Sequence, residues 1–232
     1  MKIINASSKF LTEFDTNDAM LKLGKIASVC YKGSKYEETE LDKAKRIVGN
    51  CIKNHHDSIL EHFAVSVEFV TSRDISHELV RHRMASFTQE STRYCNYTNS
   101  EKFGGDISVI DISKYIQDCN DAANVYMKWK EACEACEKAY MSMISCGVPA
   151  QIARDVLPHS LATTIIVTAN LREWRHILKL RTDTVAHPGI QEIMVPVLET
   201  FQEKLPIIFG DIEISNAVKE RYGTYDKIHI SI

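Results

Sequence analysis

The spacing of apolar positions changes period along this chain, and each change marks an element. Lys2 to Ile4 is short and apolar enough for a first strand. Met20, Leu23, Ile26, Ala27 and Cys30 then recur at helical spacing behind Asp15, Thr16 and Asn17, whose side chains can cap a helix N-terminus. Ala44, Ile47, Val48, Cys51 and Ile52 predict a second helix. Phe63, Val65, Val67 and Phe69 alternate instead, the pattern of a strand with one buried face. Ser72 or Asp74 can cap a short helix that carries Ile75, Leu79 and Val80.

The second half repeats this alternation of types. Ser108 to Ile112 reads as a strand. A long helix is predicted from about Ser113 to Cys146, with Tyr115, Ala122, Val125, Trp129, Cys133, Cys136, Tyr140 and Ile144 on one broad face. Gly147 and Pro149 stop it. Thr163 to Thr168 is rich in β-branched residues and predicts a buried strand. Leu171 to Leu180 reads as a helix, and another runs from about Ile190 to Ile208 with a kink at Pro196. No internal repeat or low-complexity linker interrupts the chain. The pattern predicts one α/β domain spanning residues 1–232.

Composition narrows the classes. The chain has 232 residues, a net charge of -3, 44% hydrophobic and 25% charged residues, which is ordinary globular usage. An acidic balance argues against general nucleic-acid binding. No apolar run reaches the roughly 18 residues a membrane span needs, and Met1 to Asn5 lacks a signal-peptide core. Seven scattered cysteines without such a signal predict reduced thiols in the cytoplasm.

Candidate chemistry concentrates in a few places. Arg81, Arg83, Arg93, Arg154, Arg172, Arg175 and Arg181 form an arginine-rich set, three of them within thirteen residues. Like charges about 4 Å apart near a protein surface repel by about 4 kcal/mol, so gathered guanidinium groups favour an anion between them. If the helix from Ile75 continued through Arg83, Arg81 and Arg83 would point about 200° apart and serve different groups. His55-His56-Asp57-Ser58-Ile59-Leu60-Glu61-His62 lies between a helix and a strand. It offers a metal site, a polar wall for a cofactor, or a loop cluster satisfied internally, although its spacing matches no sharp zinc pattern. Cys133 and Cys136 lie deep in an amphipathic helix and read as core. Ser91 lacks a nucleophile elbow and reads as a ligand-binding hydroxyl. No glycine-rich dinucleotide or phosphate loop is present.

Four ordered blocks resemble flavin-dependent thymidylate synthase. Arg81-His82-Arg83, followed by seven residues and Ser91, is similar to the family's signature, and Ser86, Arg93 and Tyr94 agree with it. His56, Ser58, Glu61 and His62 resemble the loop before its strand. Arg154 to Pro158 looks like the segment one subunit lends to its neighbour, and Asn170, Arg172, His176 and Arg181 resemble its late helix. The resemblance covers roughly His56 to Arg181. Thr88-Gln89 stands where the family often has Asn-Glu, and Glu78 where it often has Gln. Ala186 to Ile193 reads as an insertion.

The resemblance implies a fold, a reaction and a set of roles. The fold would be a central, mostly antiparallel or mixed sheet flanked by long helices. The reaction would methylate dUMP to dTMP, with methylenetetrahydrofolate as one-carbon donor, NADPH as reductant, bound FAD as hydride carrier and no enzyme nucleophile. Ser58, Arg81, His82, Arg83, Gln89, Asn170, Arg172 and His176 would hold FAD. Glu78, Arg81, Gln89, Glu90, Ser91, Thr92, Arg93, Arg154 and Arg181 would meet dUMP. Arg181 would stabilise charge on the uracil ring, and His56 would lie by flavin and folate. No metal ion is implied, and a homotetramer with shared sites is. Two other readings start from the residues alone: a metal-dependent nucleotide phosphohydrolase built on His56-Asp57, and a non-catalytic nucleic-acid-binding module using the basic cluster.

Overall fold

The computed structural model describes residues 1–30 and 38–223. The first half holds β1 (Lys2–Ile4), β2 (Ser7–Phe10), α1 (Thr16–Ser28), α2 (Glu40–Lys53), β3 (Ala64–Ser72), α3 (Arg73–Leu79), β4 (Ala85–Gln89), α4 (Ser100–Phe103) and β5 (Ser108–Ile110). It continues with α5 (Ala122–Ser145), α6 (Ala150–Ala153), β6 (Ala162–Asn170), α7 (Leu171–Arg181), α8 (Pro188–Lys204), α9 (Pro206–Phe209) and α10 (Asn216–Gly223). Short 3-10 turns lie at Asp57–His62, Ser113–Tyr115 and Arg154–Val156. One antiparallel sheet has the order β2-β3-β6-β4, and β1 pairs in parallel with β5. The class is α/β, as the alternating pattern predicts.

The chain gathers into two compact units. The first comprises Met1–Ser7, Phe69–Arg81 and Phe87–Ile166. Its core holds Tyr97, Ile107, Val109, Cys133, Tyr140, Ala153 and Leu161. Tyr97 and Tyr140 meet ring to ring at 5.8 Å. Burial pushes the Cys133 thiol pKa up, as expected of a core cysteine rather than a reactive one. Cys136 is only half-buried, so the reading of both cysteines as core holds for Cys133 alone.

The second unit comprises Ser8–Glu68, His82–Ser86 and Val167–Ile232. Trp174 on α7 is fully buried and donates its indole N–H to the Val65 carbonyl at 3.0 Å. Phe201 meets Trp174, Phe10 and Phe209 in one aromatic cluster. Arg175, also buried, donates to the Ile208 carbonyl and to both carboxylate oxygens of Asp211, at 2.6 and 2.7 Å. That pairing fixes α7 against the turn after α9, and it assigns Arg175 to structure rather than to an anion site. Asn170 begins α7 as its N-cap, accepting from the Glu173 N–H at 2.9 Å.

Several boundaries differ from expectation. The long helix starts at Ala122, not Ser113, because Asp121 sits in the left-handed region at φ 58 and caps the helix through Asn124 N–H. Its expected broad face is narrow: Cys133 and Tyr140 are its buried residues, whereas Trp129 is partly covered and bonds Ser160 at 3.3 Å. The final predicted helix breaks at Leu205, where Pro206 starts a separate turn. Strand β4 follows Arg81-His82-Arg83 directly, although the sequence pattern did not predict it.

Helices α1 and α2 pack closely at Gly24. A Cβ there would lie 2.4 Å from the Ala44 Cβ and 2.5 Å from its Cα. Gly24→Ala is therefore expected to destabilise the fold by about 1–3 kcal/mol through overpacking, despite the better helix propensity of Ala. Urea unfolding of both proteins checks this: an unchanged or raised midpoint would show that the helices can separate without cost.

Candidate active site

Helix α3 ends at Leu79, so Arg81, His82 and Arg83 lie in the turn beyond it. The helical constraint that would separate Arg81 from Arg83 does not apply. Arg81 and Arg83 are exposed, while His82 is only 6% exposed. The triplet is thus two surface cations around one buried imidazole.

His82 is the hub of a cluster within the second unit. Arg181, the last residue of α7, donates its Nε–H to His82 Nε2 at 2.9 Å. The Glu173 carboxylate stands 3.8 Å from His82 Nδ1. The rings of His82 and His176 meet edge to face at 5.9 Å. Burial first, then the Arg181 charge, then His176, push the His82 pKa down to about 4. His82 is therefore neutral near pH 7, and a neutral Nε2 can accept a bond from a guanidinium. Burial raises the Glu173 pKa, and His176 works against that rise.

The loop before β3 lies in the same unit and packs against α7. His55 takes a left-handed backbone at φ 57, which turns the chain into the 3-10 segment. His56, Ser58, Glu61 and His62 are exposed, and Glu61 accepts from Arg172 at 2.5 Å. The Asp57 Oδ1 is buried without a hydrogen-bond partner. His82, Glu173 and His176 place potential ligand atoms within 4.8 Å of one another, whereas His56 and Asp57 join no such group among the described residues. The metal-dependent phosphohydrolase reading is therefore not favoured.

The residues after β4 belong to the first unit. Gln89 donates to the Ser76 hydroxyl at 2.8 Å and the Thr163 hydroxyl at 3.3 Å. Glu90 accepts from the Tyr97 hydroxyl at 2.7 Å, and its carbonyl accepts from Arg73 at 2.8 Å. These two side chains buttress the strand end and point into internal bonds. Burial and the neighbouring Glu90 raise the Tyr97 pKa far above its usual value. Beyond them Ser91 accepts from the Arg93 N–H at 3.3 Å, and Thr92 accepts from Arg154 at 3.3 Å. Arg93 is exposed, and its guanidinium lies over the Tyr94 ring. Ser91, Thr92, Arg93 and Arg154 form a hydroxyl-and-guanidinium surface suited to a phosphate. Glu78 is half-buried.

The candidate residues thus divide by unit. Glu78, Arg81, Gln89 to Arg93 and Arg154 lie in the first; His56, Ser58, His82, Arg83, Asn170, Arg172, His176 and Arg181 lie in the second. The sequence reading missed Glu173, which becomes recognisable only when His82 is found buried beside it. It also missed Tyr97, Arg73 and Ser76 as supports of Gln89 and Glu90.

The α/β fold thus holds one arginine on a neutral buried histidine and places other arginines beside hydroxyls, a donor set suited to an anion. Residues 14–207 match the family described as thymidylate synthase complementing protein, and the chain belongs to that family. It is 35% identical over 161 residues to a flavin-dependent thymidylate synthase from Geobacter sulfurreducens, covering 67% of this chain and 64% of the relative. It is 34% identical over 178 residues to one from Pyrococcus abyssi, covering 75% and 70%. A third, from Pyrococcus furiosus, is 34% identical over 181 residues, covering 74% and 71%. Among the described residues no helix is long and apolar enough to cross a membrane.

The lowered His82 pKa makes a pH prediction. The unfolded chain, with an ordinary His pKa of about 6.5, binds more protons than the folded chain between pH 6.5 and 4. Stability should therefore fall as pH drops through that window. His82→Gln, which stays neutral and can still accept from Arg181, should remove this component. Thermal midpoints of unliganded protein between pH 7 and 4 check it; parallel curves for both proteins would contradict it.

Proposed function

We propose that this chain is an FAD-dependent enzyme that methylates dUMP to dTMP. Methylenetetrahydrofolate supplies the carbon and NADPH the reducing equivalents. The observation that carries the reading is the Arg181–His82 bond, in a chain similar to proteins named flavin-dependent thymidylate synthases. An arginine held at a fixed angle by a neutral acceptor is suited to charge that develops during a reaction.

The donor set suits a flavin bearing a diphosphate. Arg83, Arg172 and His176 are exposed and can donate, as can the Ser58 hydroxyl. Asn170 uses its carbonyl oxygen to cap α7, which leaves its amide NH2 as the donating group. Arg81 adds a further guanidinium at the end of the first unit. When bound, the flavin would supply the hydride that a protein side chain cannot.

The chain's own residues supply binding, orientation and electrostatics. Arg93 and Arg154 neutralise the nucleotide phosphate, and Ser91 and Thr92 bond to it. Ser91 bonds a backbone amide rather than a general base, so it binds and does not attack. Gln89 and Glu90 hold the strand end in place through Ser76, Thr163 and Tyr97. Glu78 offers an acceptor in place of an amide. Arg181 stabilises negative charge on the uracil ring, and His56 flanks flavin and folate. We further propose a cytoplasmic homotetramer with sites shared between subunits. The seven cysteines are all free, consistent with a reducing compartment.

The purified protein is expected to be yellow, to oxidise NADPH, and to form dTMP only when dUMP and the folate are both present. A colourless protein that neither takes up FAD nor makes dTMP would rule the reading out. Arg181→Lys keeps the charge but loses the planar fork and its Nε–H bond to His82. It should cut dTMP formation by about a hundredfold, within the range for losing one charge-stabilising donor, and FAD content by less than half. Equal loss of both would assign Arg181 to the flavin instead.

Mixed oligomers address sharing. In a single chain Arg154 already reaches its own Thr92. Subunits carrying Arg154→Ala, mixed with subunits carrying Arg181→Lys, should regain activity if Arg154 serves its neighbour. Activity no greater than that of the two parents, in verified mixed oligomers, would assign Arg154 to its own chain.

A further inference from the structure

We infer that Glu173 is a positioning residue: its carboxylate fixes the tautomer of His82 and, through it, the direction of the Arg181 guanidinium. The rate part of this inference rests on the proposed thymidylate synthesis; the tautomer part does not.

The argument begins with donors and acceptors. Arginine carries N–H donors and no acceptor. The 2.9 Å bond from Arg181 Nε therefore needs a bare lone pair on His82 Nε2. A bare Nε2 places the single proton of the neutral ring on Nδ1. In the other tautomer, Nε2–H would face Arg181 Nε–H, donor against donor, and the guanidinium would have to turn away.

Something must favour the required tautomer, because in water the two differ little. Glu173 Oε1 stands 3.8 Å from Nδ1, the ring nitrogen that Arg181 Nε does not bond. That is too long for a direct hydrogen bond but close enough for a strong field. The side chains of His82 and Glu173 are 5% and 12% exposed, so water screens the interaction poorly. An oxygen lone pair close to Nδ1 favours Nδ1–H over a lone pair there. Among the described residues, His176 is a further titratable neighbour, its ring flanking that of His82.

The fold sets the carboxylate's position. The Glu173 N–H is held by the Asn170 side chain in the first turn of α7, where a negative charge meets the positive end of the helix dipole. Trp174 and Arg175 anchor the same helix through Val65, Ile208 and Asp211. Glu173 and Arg181 therefore rise from one helix and approach different nitrogens of the imidazole they share. A carboxylate, an imidazole and a reacting cation in that order form an orienting chain, comparable in logic to a carboxylate that sets a catalytic histidine's tautomer.

Glu173→Leu removes the carboxylate, and Glu173→Asp keeps it on a shorter arm. Nitrogen-15 spectra of unliganded, histidine-labelled protein read the tautomer, with the His82 signal assigned by its loss in His82→Gln. Wild-type protein should show His82 protonated on Nδ1. Glu173→Leu should show a mixture, with kcat for dTMP lowered about tenfold, the usual cost of removing an orienting partner. KM for dUMP and flavin content should stay within about twofold. Glu173→Asp should recover most of both kcat and the tautomer.

An unchanged His82 tautomer in Glu173→Leu would overturn the inference, as would a changed tautomer with kcat within twofold of wild type. Parallel loss of flavin and thermal midpoint in both variants would also overturn it, by showing a structural role. If the wild-type protein makes no dTMP, the functional reading fails, and the spectra still decide whether Glu173 sets the tautomer.

Discussion

A guanidinium can donate to an imidazole only while the ring is neutral, and an ordinary histidine is partly protonated near pH 7 and would then repel the arginine. The Arg181 Nε–H to His82 Nε2 bond exists because burial removes that proton. Much of the second unit serves this condition. The ring is shielded from water, Arg181 ends a helix anchored at Trp174 and Arg175, and Glu173 faces the opposite ring nitrogen. A protonated His82 would offer no lone pair at Nε2, and this bond to Arg181 would be lost.

The candidate residues fall into two chemical kinds, and the kinds follow the two units. In the first, hydroxyls of Ser91 and Thr92 stand with Arg93 and Arg154, a donor set suited to a phosphate. In the second, a neutral buried imidazole fixes one arginine while other donors remain at the surface. Binding a dianion needs only charge and donors in reach. Stabilising charge that appears during a reaction also needs a fixed angle. Arg93 is exposed over Tyr94, whereas Arg181 is tethered to His82.

Not every polar residue of the signature region is arranged to bind a ligand. Gln89 and Glu90 turn their side chains to Ser76, Thr163 and Tyr97, so their contribution is the stiffness of β4 and the turn after it. Arg175 belongs to the arginine-rich set by sequence yet is consumed by Asp211 and a backbone carbonyl. Arginine count alone could not separate these cases, since a structural guanidinium and a ligand-binding one look alike until their partners are known.

Sequence by itself determined the α/β class, an alternating strand through Phe63, Val65, Val67 and Phe69, a late helix from Leu171 to Leu180 and the signature Arg81-His82-Arg83 with Ser91, because periodicity and motif spacing are local properties. Helix ends were less legible. Asp121 begins the long helix from a left-handed backbone angle that an aspartate adopts only in context. What only the tertiary structure decided is which titratable groups meet. His82 and Arg181 are 99 residues apart, and Arg172 lies 111 residues from Glu61. Burial of one imidazole, and hence its charge, depends on everything packed around it. No local pattern encodes that, so Glu173 could be read as an ordinary helix-start carboxylate until the fold set it against His82.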